Sequence, residues 1–148
     1  MRHKKGKKPS KKTFPVWGWI ALIVGLLVIT GIIVVSRIQP PVASLPAEIT
    51  VNQAVQLRDQ GAYILDVREP DEWAQFHIQG ATLIPLEELL NRLSEVPKDR
   101  KVIVVCRTGH RSAQGRDILK AAGYSQVTSM IGGLTQWQAQ GLPLTTGF

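Results

Sequence analysis

The chain has one cysteine, Cys106, in 148 residues, so no disulfide can close within it. Any thiol that resolves an adduct on that sulfur has to come from outside. Histidine is nearly as scarce: His3, His77 and His110 are scattered, and with a single cysteine they give zinc no ligand set, so no metal is expected. No internal repeat or low-complexity tract is evident beyond a basic N-terminus. A surface of one sign is also missing. The net charge of +7 comes from Arg2, Lys4, Lys5, Lys7, Lys8, Lys11 and Lys12, and the remaining 11 basic and 11 acidic residues cancel. A neutral body with a basic tip offers no electrostatic footprint for nucleic acid.

Val16 to Val35 carries no charged residue and as a helix would span about 30 Å. Trp17 and Trp19 stand at its entry, and seven cations precede it against Arg37 alone just after it. These features predict one transmembrane helix over residues 16–36. By the positive-inside rule the basic tail, residues 1–15, is cytoplasmic and the rest of the chain lies outside. A cleavable signal peptide shares the basic start and apolar run. The run is longer than the usual h-region of about 7–15 residues, however, and no A-x-A site follows it. Pro40, Pro41 and Pro46 make residues 37–48 an extended spacer.

From Ile49 to Phe148 helical and strand patterns alternate. Thr50 to Gln53 has capping-box form and opens a helix with Ala54, Val55 and Leu57 that stops near Gly61. Tyr63 to Val67, Lys101 to Val105 and Gln126 to Met130 read as buried strands. Helical faces are predicted after Pro70, over Leu86 to Leu93, over Ser112 to Ala122 with Gly123 as its stop, and around Trp137. This alternation predicts an α/β fold, a parallel sheet with helices on both faces, where ligands bind beyond the carboxyl ends of the strands. Cys106 stands at one of those ends.

Packing alone would make a lone cysteine after an apolar strand a core residue. Its neighbours point elsewhere. Cys106-Arg107-Thr108-Gly109-His110-Arg111 links a strand end to a helix start, where free backbone N–H groups and the helix dipole favour an anion. Gly109 lets consecutive amides turn inward as a nest, and Arg107 and Arg111 add positive charge. Each of these stabilises thiolate over thiol, so Cys106 is expected to be nucleophilic near neutrality. Ser112 is expected to cap the following helix. Asp66 and Arg68, two apart at a strand end, suit an ion pair, with orientation of the cysteine loop as their functional alternative. His77 fits a satisfied hydrogen-bonding role and Trp137 a core or membrane-facing position.

Cys106 to Ser112 resembles the active-site loop of single-domain rhodanese-like sulfurtransferases. Asp66-Val67-Arg68-Glu69-Pro70 resembles that family's DVREP strand end. His77 to Ala81, followed by Ile84-Pro85, resembles its GHIPGA…IP segment, and Gly132-Gly133, Trp137 and Gly141-Leu142-Pro143 resemble its C-terminal pattern. The likeness covers Ile49 to Pro143. Phe76, Gln79 and Leu134 depart from the family's usual glycine, proline and tryptophan, all outside the cysteine loop. The resemblance implies a rhodanese-like domain over residues 49–148 in which Cys106 takes sulfane sulfur from an anionic donor such as thiosulfate. It implies a persulfide that a thiol, cyanide or a protein acceptor then discharges, with Arg107, Thr108, Gly109, His110 and Arg111 binding the donor and no cofactor.

Two other readings remain open. Cysteine phosphatases and arsenate reductases have a similar loop, but they need five residues between cysteine and arginine, whereas four separate Cys106 from Arg111. A ring this small suits a sulfur atom better than a tetrahedral oxyanion. A rhodanese-like interaction module without activity usually lacks the cysteine.

Overall fold

A computed structural model describes residues 17, 18, 20–27 and 44–147. The chain divides into two units, Met1–Val42 and Ala43–Phe148. In the first unit, residues 17, 18 and 20–27 are helical, with Trp17, Ile20, Leu22 and Leu26 exposed. Most of the predicted span over 16–36 lies outside the described residues. Among those described, no helix is long and apolar enough to cross a membrane.

The second unit is built on five parallel strands, β1 (Glu48–Ile49), β2 (Tyr63–Asp66), β3 (Thr82–Leu83), β4 (Val102–Val105) and β5 (Val127–Met130). Their order in the sheet is β1-β5-β4-β2-β3. The helices are α1 (Val51–Asp59), α2 (Pro70–Gln75), α3 (Leu86–Leu89), α4 (His110–Ala121) and α5 (Gly133–Ala139), with one 3-10 turn at Leu93–Glu95. Central strand β4 shows why the sheet is covered twice. Val102 and Val104 join Leu65, Leu89 and Leu119 in one apolar cluster, while Ile103 and Val105 join Ile64, Met130, Leu134 and Trp137 in the other. A β-branched run with no polar face has to be buried on both sides.

The predicted capping box at α1 is present. Gln53 N–H donates to Thr50 Oγ1 at 3.4 Å and the Gln53 side chain accepts from Thr50 N–H at 2.9 Å. Trp137 is fully buried and its indole Nε1 donates to Pro143 O at 3.1 Å, which gives the Gly141-Leu142-Pro143 turn a physical purpose. The tail beyond it pairs back onto the body, as His77 and Thr145 exchange two backbone hydrogen bonds of 2.8 Å.

The sheet also fixes where a site can form. From β2 the chain leaves towards β3, and from its neighbour β4 it leaves the opposite way towards β5. The connections part at the carboxyl ends of these two strands, which opens a crevice there. Asp66 lies opposite Val105 in the register, so Cys106 enters the crevice immediately beyond the sheet.

Candidate functional site at the carboxyl end of strand β4

Cys106 is buried, 1% exposed, whereas Arg107, Thr108 and His110 around it are exposed. The sulfur is therefore held at the floor of a short loop whose rim faces solvent. The Gly109 N–H donates to Cys106 Sγ at 3.1 Å. That geometry requires φ of 113° at Gly109, a region closed to most side chains.

Gly109 is also the N-cap of α4, which begins at His110, two residues earlier than the sequence predicts. Ser112 accordingly lies inside the first turn and does not cap the helix. Its hydroxyl donates to Gly109 O at 2.7 Å, bracing the loop from behind. A glycine at left-handed φ starts a helix by backbone shape alone, so the nearest cap-forming side chain in the sequence marks the wrong position.

The loop carbonyls are held by α5. Leu134 N–H donates to Cys106 O at 2.8 Å, and Arg107 O accepts from Thr135 N–H at 3.0 Å and from Thr135 Oγ1 at 2.9 Å. With these carbonyls engaged by a neighbouring helix, the loop's amides are left for the sulfur and its ligands. Gly133 makes the approach possible. A Cβ there would stand 2.3 Å from Cys106 O and 2.6 Å from Arg107 C. The sequence shows Gly133 only as part of the C-terminal pattern that the resemblance rests on and gives no signal for Thr135.

The two loop arginines are not equivalent. Arg111 donates from Nη1 to Glu72 Oε2 at 2.7 Å and from Nη2 to Glu72 Oε1 at 2.8 Å, a two-pronged pair across the crevice. The hydrogen bond to Arg111 holds the Glu72 carboxyl below its ordinary range, against the opposing effect of burial. The same bond raises Arg111, burial opposes it, and the charges of Glu72, Cys106 and Glu69 add to the rise. Arg107 has no ion pair or side-chain hydrogen bond among the described residues. Its side chain lines a cavity of ≈ 190 Å³ with Arg68, Asp71, Glu72, Gln75 and Phe76. A second cavity of ≈ 220 Å³ lies on the other side of the loop, lined by Thr108, Gly109, His110, Ile131, Gly132 and Glu48 among others.

Asp66 and Arg68 form a buried pair, 0% and 1% exposed, with Arg68 Nη2 2.7 Å from Asp66 Oδ2. Burial raises the Asp66 carboxyl, and the hydrogen bonds and charge of Arg68 pull it back. Arg68 does not bond the cysteine loop. Nη2 donates to Phe76 O at 2.7 Å and Nη1 to Glu72 O at 3.3 Å, so the pair pins α2, the helix that carries Glu72. Phe76 lies under the Arg68 guanidinium, 5.3 Å from ring centroid to Cζ. His77 stacks on Trp73 at 3.6 Å, with Nδ1 3.1 Å from Trp73 O.

The family profile described as Rhodanese-like domain matches residues 50–140. A sulfurtransferase of Allochromatium vinosum is 41% identical over 81 residues, 55% of this chain and 76% of that protein. The uncharacterized protein YibN of Escherichia coli is 32% identical over 133 residues, 87% of each chain. Some other relatives are matched over only 21% or 43% of their own length. Among solved structures, a rhodanese-related protein from Thermoplasma volcanium superposes with a TM-score of 0.63 at 28% identity, covering 68% of this chain and 98% of that one.

Proposed function

The chain belongs to the rhodanese-like domain family, and from that premise we propose that it is a sulfurtransferase working through a persulfide on Cys106. One observation carries the reading: the Gly109 N–H is directed at Cys106 Sγ, 3.1 Å away, inside a loop whose carbonyls are tied back to α5. That arrangement favours negative charge on sulfur, both on the free thiolate and on the persulfide that follows it. The sulfurtransferase among its relatives lends support.

The Cys106 thiolate attacks the outer sulfur of a donor such as thiosulfate. The donor's S–S bond breaks, sulfite leaves with the electron pair, and Cys106 carries one added sulfur. An acceptor nucleophile, a thiol, cyanide or a protein thiolate, then takes that sulfur and returns the thiolate. Dividing the transfer between two displacements is nucleophilic catalysis. Thr108, Gly109 and His110 form the rim over which the donor passes, and Arg107 supplies an unpaired cation at its mouth.

The intact mass of the protein after incubation with thiosulfate tests this reading. One sulfur atom should be gained on Cys106 and lost to cyanide, Cys106→Ser should gain none, and hydrolysis of an aryl phosphate should be negligible. Phosphate hydrolysis without sulfur uptake would move the protein to the phosphatase reading.

We also infer that residues 16–36 anchor the domain in a membrane with the basic tail cytoplasmic. This rests on the uncharged run from Val16 to Val35 and its flanking cations. The alignment with YibN is longer than the second unit alone, so it runs into this segment. Protease added to intact cells with a permeable outer layer should digest the body and spare the tail; digestion of the tail alone would reverse the orientation.

A further inference from the structure

Both loop arginines are expected, on sequence grounds, to draw an anionic donor towards Cys106. In the folded protein only one is free to do so. Both terminal nitrogens of Arg111 are bound to the Glu72 carboxylate at 2.7 and 2.8 Å, and the pair is partly screened, 31% and 20% exposed. Glu72 is well placed to hold it: α2 is anchored from below by Arg68, which bonds the carbonyls of Glu72 and Phe76. Beside Arg107, the same cavity also contains Asp71, for which no partner bond exists among the described residues. The charges facing an incoming donor therefore come close to cancelling.

We propose that Glu72 is a specificity-determining residue for the sulfur donor. By occupying Arg111 it favours an alkyl persulfide, neutral or singly charged, over doubly charged thiosulfate. The inference rests on the sulfur-transfer reading and adds the donor class. In the favoured reaction the Cys106 thiolate attacks the outer sulfur of R–S–SH. The donor's S–S bond breaks, its electron pair leaves on the alkyl thiolate, and the proton stays with the transferred sulfur.

The energy of a charged donor in this field scales with its charge, so removing the Glu72 carboxylate should help a dianion twice as much, on a logarithmic scale, as a monoanion. Salt shortens the reach of both effects. The measurement is sulfur transfer to cyanide by the full-length chain, with thiosulfate and 2-hydroxyethyl persulfide as donors. Glu72→Gln should lower KM for thiosulfate about three- to tenfold at low ionic strength, with a smaller gain for the persulfide and most of the difference gone in about 0.5 M salt. Glu72→Asp keeps the charge and should keep thiosulfate a poor donor. The wild-type protein gives a reading that needs no variant: its kcat/KM for thiosulfate should stay level or rise with added salt.

The proposal is overturned if Glu72→Gln loads sulfur normally with thiosulfate KM unchanged or raised, if Glu72→Asp reproduces the glutamine variant, or if wild-type kcat/KM for thiosulfate falls steeply with salt. Should neither donor load wild-type Cys106, the sulfur-transfer reading itself fails, and donor preference fails with it.

Discussion

Two arginine–carboxylate pairs stand a few residues apart at the carboxyl edge of the sheet, and they do opposite work. Asp66–Arg68 is sealed from water, joins residues two apart in sequence, and spends its remaining donors on the carbonyls of α2. Glu72–Arg111 is partly open to solvent and joins residues 39 apart, one from each side of the crevice. A buried ion left alone is expensive, so the first pair is bound to the fold. The second can be broken at little cost to the fold, which leaves it free to act on what enters the site. Chemistry is the same in both; burial assigns the role.

The sharpest way to break this comparison is to remove the buried cation. Arg68→Ala should cost about 3–5 kcal/mol of folding stability, because it strands the Asp66 carboxyl in the interior and releases two carbonyls of α2. Urea unfolding followed by circular dichroism measures it. A loss below about 1 kcal/mol would erase the distinction between the pairs. Arg111→Ala should show the reverse pattern. Its stability should stay within about 1 kcal/mol of wild type, while kcat/KM for thiosulfate falls by roughly five- to 150-fold, equivalent to about 1–3 kcal/mol, as the Glu72 carboxylate loses its compensating cation. Arg111→Lys should recover only part of that, since an ammonium cannot match both carboxylate oxygens in one plane.

The smallest effect is a pH dependence. Glu72 is held below its ordinary value of 4.5, so its contribution to stability is complete above that value and is lost as pH falls through the lower folded-state value. The stability difference between wild type and Glu72→Gln should therefore be constant above about pH 5.5 and shrink as acid is added below 4.5. A difference that does not change with pH would mean that the pair contributes through shape and not through charge.

Much of this architecture is legible in the sequence because burial leaves a local mark. β2 and β4 announce themselves as short apolar runs, and Thr50 with Gln53 marks the start of α1. β1 and β3 are two residues each, too short to carry a period, and β1 includes Glu48, which reads as the end of the proline-rich spacer. The cysteine loop was visible as a composition, one sulfur among glycine and two cations. Its internal order was not. The start of α4 depends on the backbone angle of Gly109, and the fate of Arg111 depends on Glu72 from another crossover, which looks in sequence like any acid in a helix's first turn. Pairings across a sheet's switch point have no sequence period to reveal them.

The tie between α5 and the cysteine loop also sets a timetable. The groups that engage Cys106 O and Arg107 O belong to Leu134 and Thr135, 28 residues later in the chain. A chain made from its N-terminus presents Cys106 before the brace for its loop exists. A chain ended after Met130 would carry Cys106 without the brace, and its rate of alkylation at neutral pH is expected to be that of an ordinary thiol, below that of the complete protein. Under the proposed function, full reactivity at this sulfur marks a finished chain, and an unfinished or clipped copy holds the same cysteine with the reactivity of an ordinary thiol.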